Sequence, residues 1–393
     1  MSEKEALLLA ATTTSSTSNA TTSYSLVVFP VVLLTTVGLR MLGLVSSIHV
    51  LGVLGVGGFA GICLLVQSIN KKKEDSKAEK SEKSVERWSE KKAHEWYAKQ
   101  PWLVGANFLP STASNQLEMF QAETFNPSSI DRDLKLAASI GMNTMRVFLH
   151  DLLFDNDPTG FLDRIDIFLS ICSKHGIRPM IVFFDSRPQL TMGEIPSLQH
   201  LGDLSQQPRL EHYIRSVIRR FKNDHRNFGS WDYMPVITQL FPKIYRWIRE
   251  EGATQPITSG VYGFDDPFTE FQELQIALSD IITFHSYDPP ATFLKYLNRL
   301  KPYNRPIICT EWLARTLGST PAAILPVGKK ENIGMINWGL WMVGCRQSFL
   351  GIVWESYDHE PNPWFHDLFT GDGFCILRRK GMCFGEKRRG GFC

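Results

Sequence analysis

The sequence predicts an α/β fold, a (β/α)8 TIM barrel over residues 98–373, incomplete or with shortened loops and preceded by an N-terminal membrane segment. Three observations predict it. Short apolar runs recur eight times after Trp102. Amphipathic segments with helical spacing lie between them. Several of those segments end in glycine just before the next run. Alternation of this kind builds a parallel sheet, and eight repeats of it close into a barrel.

The apolar runs are residues 103–109, 144–149, 178–185, 228–234, 256–262, 281–287, 306–312 and 335–341. Helical patterns cover 129–140, 162–175, 210–222 and 237–251, among others. Gly141, Gly176 and Gly252 stand where a left-handed residue would cap a helix. A doubly wound open sheet is the alternative. No GxGxxG or P-loop sequence opens a helix, which argues against it.

Ahead of the barrel, residues 1–23 are rich in Ser, Thr and Ala and read as a disordered or targeting segment. Residues 24–70 form an apolar region in which Arg40 is the one charged side chain. The stretch 41–69 exceeds the roughly 20 residues that cross a bilayer. Residues 26–39 are shorter, hold Pro30, and could supply a second span. Gly57 and Gly61 have the spacing that lets membrane helices approach, although small residues are common in such helices anyway. Lys71, Lys72 and Lys73 follow directly and favour the cytoplasmic side for what comes after. Residues 71–97 read as a charged linker or exposed helix, and 374–393 as an irregular tail.

The formal net charge of +2 gives no basic excess for a nucleic-acid partner. The seven cysteines are scattered and show no CxxC or Cys/His spacing. Neither a zinc site, nor a disulfide framework, nor any cofactor is expected.

Working residues of such a barrel lie at the C-terminal ends of its strands. The run ends supply Asn107, then Arg146 and His150-Asp151, then Asp185-Ser186, then His285 and Tyr287, then Glu311-Trp312, then Asn337-Trp338. One charged strand end is as often a structural ion pair. Arginine, histidine, tyrosine, glutamate and tryptophan converging on one rim make a polar cup with aromatic walls, which suits a polyhydroxylated ring.

The stretches WLVGANFLPSTASNQLEMFQAETF, MNTMRVFLHDLLF, IVFFDS, ITFHSYDPP, CTEWLAR, INWGL and WFHDLF resemble glycoside hydrolase family five, of the retaining, cellulase-type clan. The resemblance covers roughly residues 98–373. It implies that Glu311 is the nucleophile and that Arg146 orients it. It implies that His285 and Tyr287 contact the nucleophile and the sugar, and that Trp338 is an aromatic platform. Asn107 and His150 fall in matching stretches as further binding or orienting residues. The physics agrees: a guanidinium favours an ionised neighbouring carboxylate.

One departure matters. Retaining glycosidases use two carboxyl groups, roughly 5–5.5 Å apart. The family's second is the Glu of an Asn-Glu-Pro sequence ending strand four. Here strand four reads Phe228-Gly229-Ser230-Trp231-Asp232-Tyr233-Met234-Pro235, without it. The loop after Asp185-Ser186 and the tail after Gly373 also depart. Three readings stay open: a barrel without activity, another carboxylate such as Asp232, Asp185 or Glu194 in the acid's place, or a gene assembled with exons missed. The leading expectation is a membrane-anchored retaining glycoside hydrolase acting on a β-linked glycan such as glucan or mannan. The alternative is a non-catalytic carbohydrate-binding or scaffold protein. A third is that the membrane region carries the function.

Overall fold

The computed structural model describes residues 87–184, 203–226, 228–230, 240–341 and 365–369. All belong to one unit, Ala78–Cys393. The membrane expectation for 24–70, the Gly57/Gly61 pair, the 71–73 lysines and the tail lie outside the described residues. Among the described residues no helix is long and apolar enough to cross a membrane.

A helix α1 (Glu90–Ala98) comes first. Then follow β1 (Val104–Asn107), α2 (Gln116–Phe120), α3 (Pro127–Ser139), β2 (Thr144–Phe148), α4 (Asp151–Asn156), α5 (Pro158–Lys174) and β3 (Arg178–Val182). Next are α6 (Gln207–Phe221), β4 (Phe228–Ser230), α7 (Phe241–Glu250), β5 (Gly260–Val261), α8 (Glu270–Leu278) and β6 (Ile282–His285). The last are α9 (Pro290–Leu300), β7 (Ile307–Glu311), α10 (Pro321–Lys330) and β8 (Gly334–Asn337).

Local sequence explains the helix ends. Asn126, Asp157 and Thr320 cap α3, α5 and α10 with side-chain oxygens, and proline opens each helix where its missing N–H costs nothing. Thr269 and Gln272 form a reciprocal capping box on α8. The three expected capping glycines, 141, 176 and 252, all have positive φ.

The strands form one eight-stranded sheet in the order β4-β3-β2-β1-β8-β7-β6-β5, with every recorded pair parallel. Pairing of β1 with both β2 and β8 is what a barrel requires and an open doubly wound sheet does not show. Among the described residues no ladder joins β4 to β5.

Alternation sorts the strand residues into two layers. Leu103, Met180, Ile281, Ile308 and Ile336 come from five places around the sheet yet pack together, so they face inward. Val104, Met145, Val147, Ile181 and Phe284 pack with the helices in the outer layer.

The end of the stretch read as charged linker or exposed helix is helical from Glu90 to Ala98 and docks on the barrel. Trp88 and Ala93 are buried against the inner apolar layer, so 87–98 acts as a strap closing the N-terminal end of the barrel. Asp280 holds the strap. Its Oδ1 accepts the Trp88 N–H at 2.7 Å, and its Oδ2 accepts the Ile257 N–H at 2.6 Å and a hydrogen bond from Arg249. Arg305 donates to the carbonyls of Trp88 and Asp280, and Arg87 to those of Ile276 and Ala277. A linker pattern is rich in charge, and here Arg87, Trp88 and Ala93 do the docking, with Trp96 and Tyr97 packed against the same apolar layer.

Candidate active site

Glu311 ends β7, and its position depends on a slip in strand register. Cys309 pairs with Phe284, but Glu311 pairs with His285, so Thr310 is accommodated as an extra residue. Ile308 faces the inner layer. Strict alternation from Ile308 would therefore turn Glu311 toward the helices. The slip turns it into the cup and sets it opposite His285.

The carboxylate is 2% exposed and its oxygens take different donors. Arg146 Nη1 donates to Oε1 at 2.8 Å, and the Tyr287 hydroxyl donates to Oε2 at 2.6 Å. His285 Nδ1 lies 3.5 Å from Oε1. Burying a carboxylate is costly unless it is paired and hydrogen-bonded, and both conditions hold. With both oxygens held from the strand side, the carboxylate plane cannot turn. Such a fixed, charge-paired carboxylate suits attack on an electrophilic carbon.

A second set of contacts holds Arg146. Asn107 Oδ1 accepts from Arg146 Nη1 at 2.7 Å. The Asn107 amide donates to the carbonyls of Thr310 at 2.8 Å and Asn337 at 3.1 Å. Asn107 thus ties β1 to β7 and β8 while aiming the guanidinium. The Asn337 amide in turn donates to the Trp338 and Gly339 carbonyls. Gly339 has φ +79, and a Cβ there would meet the His366 Cβ at 2.8 Å, so glycine is required in that turn.

Tyr287, Ala314, Trp338 and Phe365 form a separate apolar cluster over this polar floor, with Phe148 against it. Phe148 meets Trp338 edge-on at 6.1 Å, and the Arg146 guanidinium lies 4.7 Å from the Phe148 ring. His366 packs on Phe365 and Tyr287 and hydrogen-bonds the Leu313 carbonyl.

The structure therefore brings together Glu311, Arg146, His285, Tyr287, Asn107 and Trp338. His150 is otherwise engaged. It caps α4, with Nδ1 3.2 Å from both the Leu152 N–H and Asp151 Oδ1. Asp151 is also bridged to Arg209 at 2.7 Å. Burial alone would raise the Asp151 carboxyl, but the hydrogen bond and charge of Arg209, joined by His150 when that ring is protonated, outweigh it and bring it down to about 2. A group so firmly ionised donates no proton at neutral pH. Asp185, Glu194 and Asp232 lie outside the described residues. The groups that meet Glu311 as described above are a guanidinium, a phenol and an imidazole. Among the described residues there is no cluster of His, Cys, Asp or Glu able to hold a metal.

Sequence reasoning overlooked Phe148, Phe365 and His366. Phe148 was legible, being two residues after Arg146 and so on the same strand face. Phe365 and His366 sit in the WFHDLF stretch, but nothing local shows that it folds back on β7.

No protein-family model matches the sequence, and no curated protein matches it. Solved structures do. An exo-β-1,4-mannosidase from Opitutaceae bacterium strain TAV5 superposes with a TM-score of 0.55 at 19% identity over 70% of this chain. The chain spans 57% of that mannosidase's length. A GH5_18 protein from Bifidobacterium longum subsp. longum, crystallised with Manβ1-4GlcNAc, gives 0.52 at 14% identity, covering 70% of this chain and 75% of that one. A second GH5_18 structure from the same organism gives 0.50 at 13% identity, covering 73% of this chain and 81% of that one. The shared feature is the fold. The resemblance to glycoside hydrolase family five, read first from short stretches of sequence, extends to the arrangement of the barrel.

Proposed function

We propose that the barrel is a retaining glycoside hydrolase that cleaves a β-linked glycan, with Glu311 as nucleophile. The observation that carries this reading is the buried Glu311 carboxylate held by Arg146 and Tyr287 beneath an aromatic wall. A structural ion pair needs no tyrosine on the second oxygen and no aromatic cluster above it. In the reaction, a Glu311 oxygen attacks the anomeric carbon as the bond to the leaving oxygen breaks. Water then cleaves the glycosyl ester. Arg146 and Tyr287 fix the attacking oxygens, and Trp338 offers its face to the sugar. Mannan is the favoured substrate because the superposed Opitutaceae protein is described as a mannosidase; β-glucan is the alternative.

Protonation of the leaving oxygen is assigned to a group in residues 185–202 or 231–239, where Asp185, Glu194 and Asp232 stand. Such acid help is worth roughly 10²–10⁴-fold. A 2,4-dinitrophenyl β-mannoside or β-glucoside needs little of it. The chain should hydrolyse one of these, and Glu311→Ala should remove the activity. No turnover, or turnover indifferent to Glu311→Ala, contradicts the reading. One observation favours a non-catalytic glycan-binding protein instead: strand four carries no Asn-Glu. Glycan binding that is lost in Trp338→Ala, without any hydrolysis, would establish that alternative.

Anchoring of the barrel to a membrane through residues 24–70 is part of the proposal. The full chain should stay in the pellet after alkaline carbonate extraction of membranes. Release into the supernatant contradicts it.

A further inference from the structure

We infer that Tyr262 is a sugar-binding platform on the leaving-group side of Glu311, and so sets which glycans the site accepts. The inference rests on the glycosidase or glycan-binding reading of the cup. Among the exposed large apolar side chains of the described residues, which are Ile167, Tyr262 and Leu317, Tyr262 is the aromatic one, and it is 59% exposed. It is the first residue beyond β5, at the C-terminal end of the strand. Its ring centroid lies 6.0 Å from that of His285, whose Nδ1 is 3.5 Å from Glu311.

The position is fixed rather than incidental. Gln272 is 4% exposed, and its amide reaches back to the Tyr262 carbonyl at 3.0 Å, the Gly263 carbonyl and Asp265 Oδ2. Gly263 turns the chain with φ +71. Phe264 is stacked on Tyr296 at 4.1 Å and set edge-on against Phe284 at 5.9 Å, which anchors the turn from below. The fold thus commits a buried amide and a stacked aromatic pair to a turn that leaves a phenol ring in solvent. A lone exposed aromatic needs no explanation in itself. A rigidly presented one beside a nucleophile is how a binding site holds a flat apolar face ready for a ligand.

The order around the rim gives the side. Trp338 follows β8, Glu311 ends β7, His285 ends β6 and Tyr262 follows β5. Glu311 therefore stands between Trp338 and Tyr262. A glycan with one ring on Trp338 and its scissile bond over Glu311 continues toward Tyr262.

The test is calorimetric binding of β-1,4-mannotetraose and of cellotetraose to the Glu311→Gln chain, alone and with Tyr262→Phe or Tyr262→Ala added. For the better-bound tetrasaccharide, Tyr262→Ala should weaken binding about tenfold or more, and Tyr262→Phe should stay within about threefold, because the ring face is kept. Equal affinity in Tyr262→Ala overturns the inference, as does an equal loss in both variants or failure of the parent to bind either sugar. Hydrolysis of β-mannosyl and β-glucosyl fluoride by the unmutated chain is measured alongside. Binding that depends on Tyr262 without fluoride turnover sinks the hydrolase reading and leaves the platform standing.

Discussion

Arg146 and Tyr287 hold opposite oxygens of one buried carboxylate, and at the scale of the residue the proposed role of Glu311 rests on that pair of contacts. Removing one hydrogen bond to a charged group costs roughly 1.5–3 kcal/mol. Tyr287→Phe should therefore lower kcat/KM on a dinitrophenyl glycoside about 10- to 100-fold; an unchanged value would show that the hydroxyl does not orient the nucleophile. Asn107→Ala should act through Arg146, with a loss of about tenfold and lower thermal stability, since the Thr310 and Asn337 carbonyls lose their donor. Asp151 predicts an acid-side stability effect. Its carboxyl is held down at about 2 by His150 and Arg209 against the cost of burial. A depressed carboxyl contributes stability that is present above its unfolded value near 3.9 and is lost as pH falls toward about 2, roughly 2–3 kcal/mol in all. Urea unfolding of the chain and of Asp151→Asn should converge across that window, and parallel curves would contradict the assignment.

At the scale of the element, the strap and the register slip behave differently toward sequence reasoning. The slip between Phe284 and His285 orients Glu311, yet alternation read along either strand alone cannot show it, because register belongs to the pair. The strap was hidden by its composition: Trp88 and Ala93 are surrounded by Lys and Glu, so 87–97 resembles solvated linker. The apolar run 256–262 was legible as a strand, but its ladder with β6 covers Gly260–Val261, and Ile257 and Ser259 give their N–H groups to Asp280 and Ser279 side chains. Asp280 is the element-level test. Asp280→Ala leaves Arg249 and the Trp88 and Ile257 N–H groups without their acceptor, so thermal unfolding should show a loss of about 3–5 kcal/mol. A loss below about 1 kcal/mol would mean that the strap is not held there.

Across the whole molecule, the barrel was legible because eight alternations leave few topologies, and the cyclic pairing of β1 with β2 and β8 agrees with it. The cup was legible because its polar residues stand at strand ends, where this architecture puts its chemistry. The aromatic wall was only half legible, since Phe365 reaches it by long-range folding. The central claim is that Glu311 acts as a nucleophile. Incubation with 2-deoxy-2-fluoro-β-mannosyl fluoride, or its glucosyl counterpart, followed by mass spectrometry of peptides measures this directly. Fluoride leaves without acid help, so the result does not depend on the second carboxyl group. The account predicts one covalently bound fluorosugar on the peptide containing Glu311, and none in Glu311→Ala. A folded chain that takes up no label from either reagent, or takes it up on another carboxylate, contradicts it.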